Sequence, residues 1–421
     1  MDSIETLNLL KTGQLKGEKR LRLPAGLREF PQEILELADS LELLDLSGNR
    51  LSVLPDDFGR LKKLKIAFFN NNAFEVFPSV LAECPALEMI SFKSNQLRRI
   101  DEKVLSPKIR WLILTNNQLE TLPADIGELG RLQKLMLAGN RLSALPEAMA
   151  NCKNLELIRL SANRLEHLPQ WLMCLPRLAW IAYAGNPVCD VLGQAAEGDA
   201  ALPIIKEENL AQGEILGQGA SGVIYQGVWS PAGDANKPGE TGPQAPKADS
   251  VAVAIKRFKG DITSDGLPLD EMQACIAAGE HPNLVKVLGK LAETAETGKG
   301  LVFEVIPPDY ENLGGPPDLD SCTRDTYGAE TDFSLPVVLR VARGIASAIA
   351  HLHQRGIMHG DLYAHNILLN AEGKSFLGDF GAASFYDINS TNAQALVRLE
   401  VRAFGCLLED LPSALSKILW A

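Results

Sequence analysis

Three glycines near the middle of the chain have the spacing of a loop that binds phosphate. Gly217, Gly219 and Gly222 lie between two strand-like runs in EILGQGASGVIYQGVW, residues 214–229. A dinucleotide-binding turn has the same spacing, but it needs a helix that begins at the third glycine. The β-branched and aromatic residues that follow here favour a second strand. The sequence therefore predicts a glycine-rich hairpin, whose backbone N–H groups can approach a phosphate closely because glycine has no Cβ.

A lysine and a glutamate follow in positions that allow them to pair. Lys256 lies near the end of the apolar strand VAVAIKRF, residues 251–258, and Glu271 lies near the start of a short predicted helix. Taken alone, a lysine in this position is normally solvated, and an acid near a helix start usually interacts with the helix dipole. Beside a phosphate-binding loop, Glu271 is the natural counter-ion that would hold Lys256 against the phosphates.

Two further polar motifs follow a long apolar helix that is predicted over residues 337–356. The segment IMHGDLYAHNILLN contains His359 and Asp361, with Asn366 five residues after the aspartate. The segment GDFGAA then supplies Asp379. Such an ordered set suits phosphoryl transfer, which needs positioning and charge neutralisation more than covalent chemistry.

This series resembles the protein kinase superfamily, in which G-x-G-x-x-G-x-V, V-A-I-K, a helix glutamate, H-x-D-x-x-x-x-N and D-F-G stand in the same order. The resemblance implies a protein kinase that uses ATP and Mg²⁺. Lys256 would contact the α- and β-phosphates and pair with Glu271. Asp379 and Asn366 would coordinate Mg²⁺ through hard oxygen atoms, and Asp361 would accept the proton of the substrate hydroxyl or orient that hydroxyl.

The resemblance also implies a place for the adenine. The ring would lie between Val223 and Ala254 above and Leu368 below. The run LVFEVI matches the hinge strand, whose backbone would bind the adenine edge near Glu304, with Phe303 as gatekeeper. Four histidines in this part of the chain could suggest a metal site, but the resemblance already accounts for their places. They are His351, His353, His359 and His365.

The sequence departs from the family pattern at several positions. Gly360 stands where many kinases have an arginine that receives a phosphorylated activation loop, so this switch is expected to be absent. Tyr363 replaces the lysine of serine/threonine kinases. Because the loop also lacks the tyrosine-kinase version, the type of substrate hydroxyl stays open, with Ser/Thr preferred. Glu400 replaces the aspartate that usually opens the helix predicted over 399–411.

The region after the D-F-G motif is short. Fewer residues separate Asp379 from the helix over 399–411 than in most family members, and no A-P-E element is found. The sequence reaches Ala421 soon after this helix. We therefore expect either a minimal kinase with a shortened large lobe or a chain that is cut short, and in both cases the peptide-docking platform and the catalytic activity are in doubt.

The N-terminal half of the chain consists of sequence repeats, which must form the structure that supports the C-terminal half. Asparagines recur at positions 49, 72, 95, 117, 140, 163 and 186 in the frame L-x-x-L-x-L-x-x-N-x-L-x-x-L-P. Alternating leucines predict short strands with one buried face, and the asparagines can hydrogen-bond the backbone of neighbouring turns. No single unit can bury its apolar side, so the units must stack. The frame resembles the leucine-rich repeat family, which implies a curved solenoid.

Two domains follow from these patterns. We expect an α/β leucine-rich repeat solenoid joined to an α+β, bilobal protein-kinase-like domain with a shortened C-lobe. Two functions stay open. One is an active kinase whose solenoid recruits substrate or regulator, and the other is a scaffold whose degenerate kinase fold senses nucleotide. The expected boundaries are 1–17 for a helical cap, 18–190 for the solenoid, 191–209 for a linker and 210–421 for the kinase-like domain, with a flexible loop over 230–250.

The concave face of the solenoid is a candidate protein-binding surface. Two columns of strand residues face it, and nine of these fourteen are Leu, Ile, Met, Phe or Trp. Such an apolar surface normally marks an interaction site, with Ile66, Phe68, Trp111 and Trp180 as anchors. Alternatively, neighbouring side chains cover one another or the kinase lobe folds back onto them. The columns are Leu43, Ile66, Met89, Trp111, Lys134, Leu157 and Trp180, and Asp45, Phe68, Ser91, Ile113, Met136, Arg159 and Ala182.

Composition limits the remaining partners. The 421 residues carry a formal net charge of −12, which disfavours nucleic acid as a main partner. The N-terminus has acidic residues where a signal peptide needs a basic start, and no apolar run reaches the length of a membrane span. The seven cysteines form no C-x-x-C pair and are expected to be reduced thiols. We therefore expect a cytoplasmic protein that binds neither membrane nor nucleic acid.

Overall fold

The computed structural model describes residues 3–189, 202–231, 250–260, 262–293 and 298–411. Most of the loop expected over 230–250, and residues 412–421, lie outside these ranges. Within them, the chain forms a solenoid of parallel strands followed by a bilobal α+β domain.

The solenoid begins with helix α1 (Ser3–Lys11) and is built on one sheet of eight parallel strands. Each strand is three residues long, and its central side chain, such as Leu44, is buried. The first and third residues lie on the concave face because strand side chains alternate. The strands are β1 (Arg20–Arg22), β2 (Leu43–Asp45), β3 (Ile66–Phe68), β4 (Met89–Ser91), β5 (Trp111–Ile113), β6 (Lys134–Met136), β7 (Leu157–Arg159) and β8 (Trp180–Ala182).

Short helical segments cross the convex side of the solenoid. Each begins directly after the proline that closes the repeat frame, and this proline is the extended N-cap residue of the segment. The segments are the 3₁₀ helices Gln32–Leu37, Asp56–Arg60, Ser79–Glu83, Ala124–Glu128 and Glu147–Asn151 and the α-helix α2 (Gln170–Met173).

Asparagine side chains link the repeats, as the sequence predicts. Asn72 donates from Nδ2 to the carbonyl oxygen of Leu46 at 2.9 Å, and its Oδ1 accepts from the N–H of Leu51 at 2.9 Å. Asn163 and Asn186 make equivalent bonds further along the stack. These bonds satisfy buried backbone groups that the short strands leave unpaired, so the repeats share one continuous core.

The small lobe of the second domain is a six-stranded sheet with one helix, α3. Its glycine-rich hairpin is confirmed, because the residues after Gly222 form a strand and not the helix of a dinucleotide-binding turn. Ile204 and Ile205, expected in a linker, form an edge strand of this sheet. The elements are β9 (Ile204–Ile205), β10 (Leu210–Gln218), β11 (Gly222–Trp229), β12 (Val251–Phe258), α3 (Pro268–Ala278), β13 (Val287–Leu291) and β14 (Gly300–Glu304), with sheet order β10-β11-β12-β14-β13-β9.

The large lobe is built around a long apolar helix, α4. Its buried face, with Val341, Ile345 and Leu352, packs into the core of this lobe. By length and composition alone α4 could also cross a membrane, contrary to the expectation that no apolar run reaches that length, but its buried face makes it a core helix of this lobe. The elements are β15 (Glu311–Asn312), α4 (Leu335–Gln354), β16 (Ile357–Met358), β17 (Ile367–Leu369), β18 (Ser375–Leu377), β19 (Ser384–Phe385) and α5 (Ala393–Asp410), with 3₁₀ turns at Glu207–Asn209 and Ala364–Asn366.

Helix α5 begins earlier than the sequence predicts. It starts at Ala393 and not near residue 399, so residues 382–392 alone connect the D-F-G motif to it. Part of this connection is the two-residue strand β19, which pairs with β16. The connection is therefore short, and its strand β19 contacts both the large lobe and the solenoid.

The solenoid and the large lobe share buried side chains. Met136, Leu157 and Trp180 on the concave face belong to the same apolar core as the residues of helix α4. Met358 and Leu399 of the large lobe pack in turn against the solenoid core. At the C-terminal end of the sheet, the kinase-like domain therefore covers the concave face.

Candidate active site

The glycine-rich hairpin provides an open space above the site. A Cβ on Gly217 or Gly219 would meet no atom within 4 Å, so these glycines border free volume. Gly222 is required for a different reason, because a Cβ there would lie 2.5 Å from the carbonyl oxygen of Arg257 on the next strand. The hairpin can therefore lie over phosphate groups while it stays tightly paired at its base.

Lys256 and Glu271 meet below the hairpin. Strand β12 carries the lysine, helix α3 carries the glutamate, and the two side chains form an ion pair in which both are largely buried. Burial disfavours the charged lysine, but the Glu271 carboxylate outweighs it and raises the pKa of Lys256 above its ordinary value. The ammonium group is therefore charged at neutral pH and held in one place.

The catalytic loop brings together the next two sequence-predicted residues. Asn366 donates from Nδ2 to the backbone oxygen of Asp361 and to its Oδ2, both at 2.9 Å. Because both bonds use the amide nitrogen, the amide oxygen of Asn366 stays available for a cation. The loop geometry thus fixes a carboxylate and an oxygen ligand side by side.

Asp379 lies beside this pair. The N–H of Gly378 donates to the backbone oxygen of Asn366 at 2.9 Å, which joins the D-F-G segment to the catalytic loop. Asp379 itself has φ +53°, a left-handed conformation that residues with a Cβ rarely adopt outside special sites. Phe380 is buried against the ring of His359, with centroids 5.2 Å apart. The carboxylate is therefore directed by strained backbone and by the packing of its neighbour.

The small-lobe register corrects one residue of the expected adenine site. Strand pairing sets Ile224 opposite Lys256 and Gln226 opposite Ala254, so these residues share one face of the sheet. Val223 pairs with Arg257 and lies on the other face. Ile224, and not Val223, is therefore the residue that would lie above an adenine bound on this face.

The structure places the other residues expected near the adenine as follows. Phe303 pairs directly with Ala254, so the expected gatekeeper lies on the sheet face that carries Ala254 and Lys256. Glu304 ends strand β14, where the chain leaves the sheet, as a hinge requires. Leu368 lies in β17 of the large lobe, half-buried. Phe303 and Glu304 thus belong to the small lobe and Leu368 to the large lobe.

The histidines near the site are occupied by protein partners. His353 shares a 2.7 Å hydrogen bond with Glu400, and His359 Nε2 lies 2.9 Å from the carbonyl oxygen of Gly378. His351 and His365 likewise face Ala278 and Asp325. His353, His359 and His365 therefore contribute to packing around the catalytic loop, and His351 joins α4 to helix α3.

Glu400 anchors the catalytic loop to helix α5. Its carboxylate accepts from the N–H groups of His359 at 3.2 Å and Gly360 at 2.7 Å, besides the bond with His353. Burial disfavours the charge, but these donors outweigh it and lower the pKa of Glu400 below its ordinary value. Glu400 thus takes the place of the usual aspartate, although its side chain is one methylene group longer.

The solenoid explains why residue 360 is a glycine. Its φ is +73°, and a Cβ there would lie 2.5 Å from the carbonyl oxygen of Ile181 in strand β8 and 2.7 Å from that of Ala382. The arginine that many kinases carry at this position therefore has no room, because the solenoid backbone occupies the space.

Arg159, on the concave face, is a site residue that sequence reasoning did not identify. Its guanidinium group forms an ion pair with Asp361, donates to Asp265 Oδ1 at 2.7 Å and donates to the carbonyl oxygen of Gly360 at 3.1 Å. Burial raises the pKa of Asp361, and the guanidinium opposes that rise. Two sequence features could have identified Arg159. It is a charged residue in a mostly apolar column of the concave face, and Gly360 replaces the arginine that many kinases have in the catalytic loop.

Trp180 was expected to anchor an external partner, and the structure corrects that expectation. Its indole ring stacks on Tyr363 with centroids 4.6 Å apart and planes 7° apart, and its Nε1–H donates to the carbonyl oxygen of Leu362 at 3.1 Å. The side chain is 2% exposed. The catalytic loop is therefore the partner of Trp180.

Comparison with known proteins defines the class. Residues 210–406 match the family described as protein tyrosine and serine/threonine kinase, and residues 40–61 and 130–188 match leucine-rich repeat families. Leucine-rich repeats followed by a protein kinase domain are thus the organisation of this chain, as the sequence motifs predict.

Individual relatives each match a part of the chain. The epidermal growth factor receptor of Apis mellifera is 34% identical over 199 residues, which are 47% of this chain and 13% of that receptor. The LRR receptor kinase SERK2 of Oryza sativa subsp. japonica is 30% identical over 200 residues, 46% of this chain and 28% of that protein. The chain thus spans less than a third of the length of either relative. Among solved structures, a leucine-rich repeat protein of Leptospira interrogans matches with 27% identity and a TM-score of 0.37, covering 44% of this chain and 54% of that one.

Proposed function

We propose that this chain is an ATP-dependent protein kinase that transfers the γ-phosphate to protein hydroxyl groups, those of Ser or Thr in preference to Tyr. One observation carries the proposal. The Lys256–Glu271 ion pair and the Asp361–Asn366 pair are formed together below the open glycine-rich hairpin. Bound Mg²⁺-ATP would supply the phosphoryl group and neutralise its charge. Gly217 and Gly219 leave room for it.

Each residue then has a distinct task. The Lys256 ammonium would bind the α- and β-phosphates, and Glu271 holds it in place. The amide oxygen of Asn366 and the carboxylate of Asp379 would hold Mg²⁺, which prefers such hard oxygen ligands. Asp361 would orient the acceptor hydroxyl and take up its proton, because its carboxylate is 16% exposed and thus reachable from solvent.

Transfer of label from γ-labelled ATP to dephosphorylated casein tests the proposal. We expect Mg²⁺-dependent transfer by the wild type, loss of at least a hundredfold in Asp361→Asn, and a comparable loss in Lys256→Met. Phosphoamino acid analysis of the product should show phosphoserine or phosphothreonine. Equal background signal from wild type and both variants would contradict the proposal.

A nucleotide-sensing scaffold is the second candidate, and the short connection favours it. Residues 382–392 leave little chain for a peptide-docking platform, and the solenoid covers one flank of the catalytic loop. If ATP binds with the same affinity to wild type and to Asp361→Asn while neither transfers phosphate, the scaffold function is the correct one.

We propose that the uncovered part of the concave face binds a protein. The half-buried Ile66, Phe68 and Trp111 lie towards the middle of the sheet, away from the strand that carries Trp180. Mass spectrometry of cross-linked complexes should show a partner that is lost on Trp111→Ala and retained by Arg164→Gln, an exposed change outside the sheet.

Free thiols at all seven cysteines support a cytoplasmic location.

A further inference from the structure

Arg159 is held in a single orientation between the two domains. Its side chain is 2% exposed, and three acceptors from the kinase domain surround the guanidinium group: Asp265, the carbonyl of Gly360 and Asp361. A planar guanidinium with several fixed acceptors loses its freedom to rotate. The solenoid therefore fixes one oxygen of the Asp361 carboxylate.

The catalytic loop, residues 357–366, contains neither arginine nor lysine. Tyr363 stands where a serine/threonine kinase would have a lysine, and Gly360 stands where many kinases have an arginine. The neighbouring concave-face cation, Lys134, places its ammonium 4.1 Å from the ring centroid of Trp111. Three carboxylates meet near the loop, those of Asp265, Asp361 and Asp379. Without a cation, like charges would push Asp361 away from the position in which Asn366 holds it.

With the solenoid in contact with the catalytic loop, the residues of the active site are assembled and Asp361 is not blocked. The Lys256–Glu271 ion pair is formed, Phe380 is packed, and Asn366 binds the other oxygen of Asp361 while Arg159 binds the first. Asp361 stays partly exposed. Contact with the solenoid is therefore compatible with every other feature of the site.

We propose that Arg159 is a positioning residue for phosphoryl transfer, by which the leucine-rich repeat sheet supplies in cis the guanidinium group that the catalytic loop lacks. It acts through Asp361 and does not touch the nucleotide. The inference rests on the proposed kinase function.

Steady-state transfer to casein in the full chain tests this role with Arg159→Gln, Arg159→Lys and the matched control Arg164→Gln. Arg164 belongs to the same repeat but is exposed and lies outside the sheet. We expect Arg159→Gln to lower kcat at least tenfold while the KM for ATP changes less than twofold. Arg159→Lys, which keeps the charge, should recover part of the lost kcat, and Arg164→Gln should behave as wild type.

The other outcomes overturn the inference in distinguishable ways. A faster Arg159→Gln would mean that the ion pair inhibits the enzyme, and an unchanged kcat would mean that it has no catalytic role. Equal loss in Arg159→Gln and Arg159→Lys, together with a higher KM for ATP and a lower Tm, would mean a purely structural role. A wild type that binds ATP but transfers no phosphate would refute the proposed function itself, and this inference with it.

Discussion

One buried side chain, that of Glu400, holds the backbone of the catalytic loop in place. Its carboxylate receives two backbone N–H groups and His353, and these donors lower its pKa below the ordinary value of 4.5. A group with a lowered pKa in the folded state stabilises the fold above its unfolded pKa, and this stabilisation is lost as the pH falls through the folded value. The carboxylate therefore stabilises the fold at neutral pH and not in acid.

We expect Glu400→Gln to lower the free energy of unfolding at pH 7 by about 2 kcal/mol, because charge-assisted hydrogen bonds are lost. The difference from wild type should shrink as the pH falls below 4.5. Thermal unfolding at a series of pH values measures it, with the exposed change Glu330→Gln as control. A difference that stays constant from pH 7 into acid would contradict the assigned charge state.

At the scale of elements, the turn at Gly360 depends on glycine. We expect Gly360→Ala to destabilise the fold by about 2 kcal/mol or more, because the residue has φ +73° and a Cβ would clash with Ile181. Gly260→Ala, where a Cβ meets open space, is the control. Equal melting temperatures for both variants would show that the solenoid backbone does not approach this turn.

The connection between the D-F-G motif and helix α5 should not need phosphorylation. Ser384 is fully buried and accepts the N–H of Tyr183 at 2.9 Å, and Tyr386 is also buried. Phosphatase treatment should therefore leave activity within about twofold. A tenfold loss that alanines at Ser390 and Thr391 reproduce would contradict this.

Local pattern predicted the elements of this fold and some contacts within each domain, but not the individual contacts between the two domains. The stacked repeats and the strand VAVAIKRF were predicted because each depends on residues close in sequence. Val223 was assigned wrongly since a shift of one residue in a strand reverses its face. Arg159 was missed because its partner Asp361 is distant in sequence, and no local period reports such a contact.

At the scale of the whole molecule, Trp180 and Tyr363 should be energetically coupled. Their rings stack across the domain interface, and such pairs contribute about 1 kcal/mol beyond burial. In a double-mutant cycle with Trp180→Leu and Tyr363→Leu, we expect a coupling energy of about 1 kcal/mol in thermal or urea unfolding. Strictly additive losses would show that the rings do not meet.

The central claim is that the solenoid sheet and the catalytic loop form one packed interface. Amide hydrogen exchange in the full chain tests it directly, by comparing wild type with Trp180→Leu. We predict that residues 357–366 and residues 157–163 are protected in the wild type and that exchange in both segments accelerates in the variant, while residues 43–70 keep their wild-type rates. Identical exchange of residues 357–366 in wild type and variant would contradict the claim.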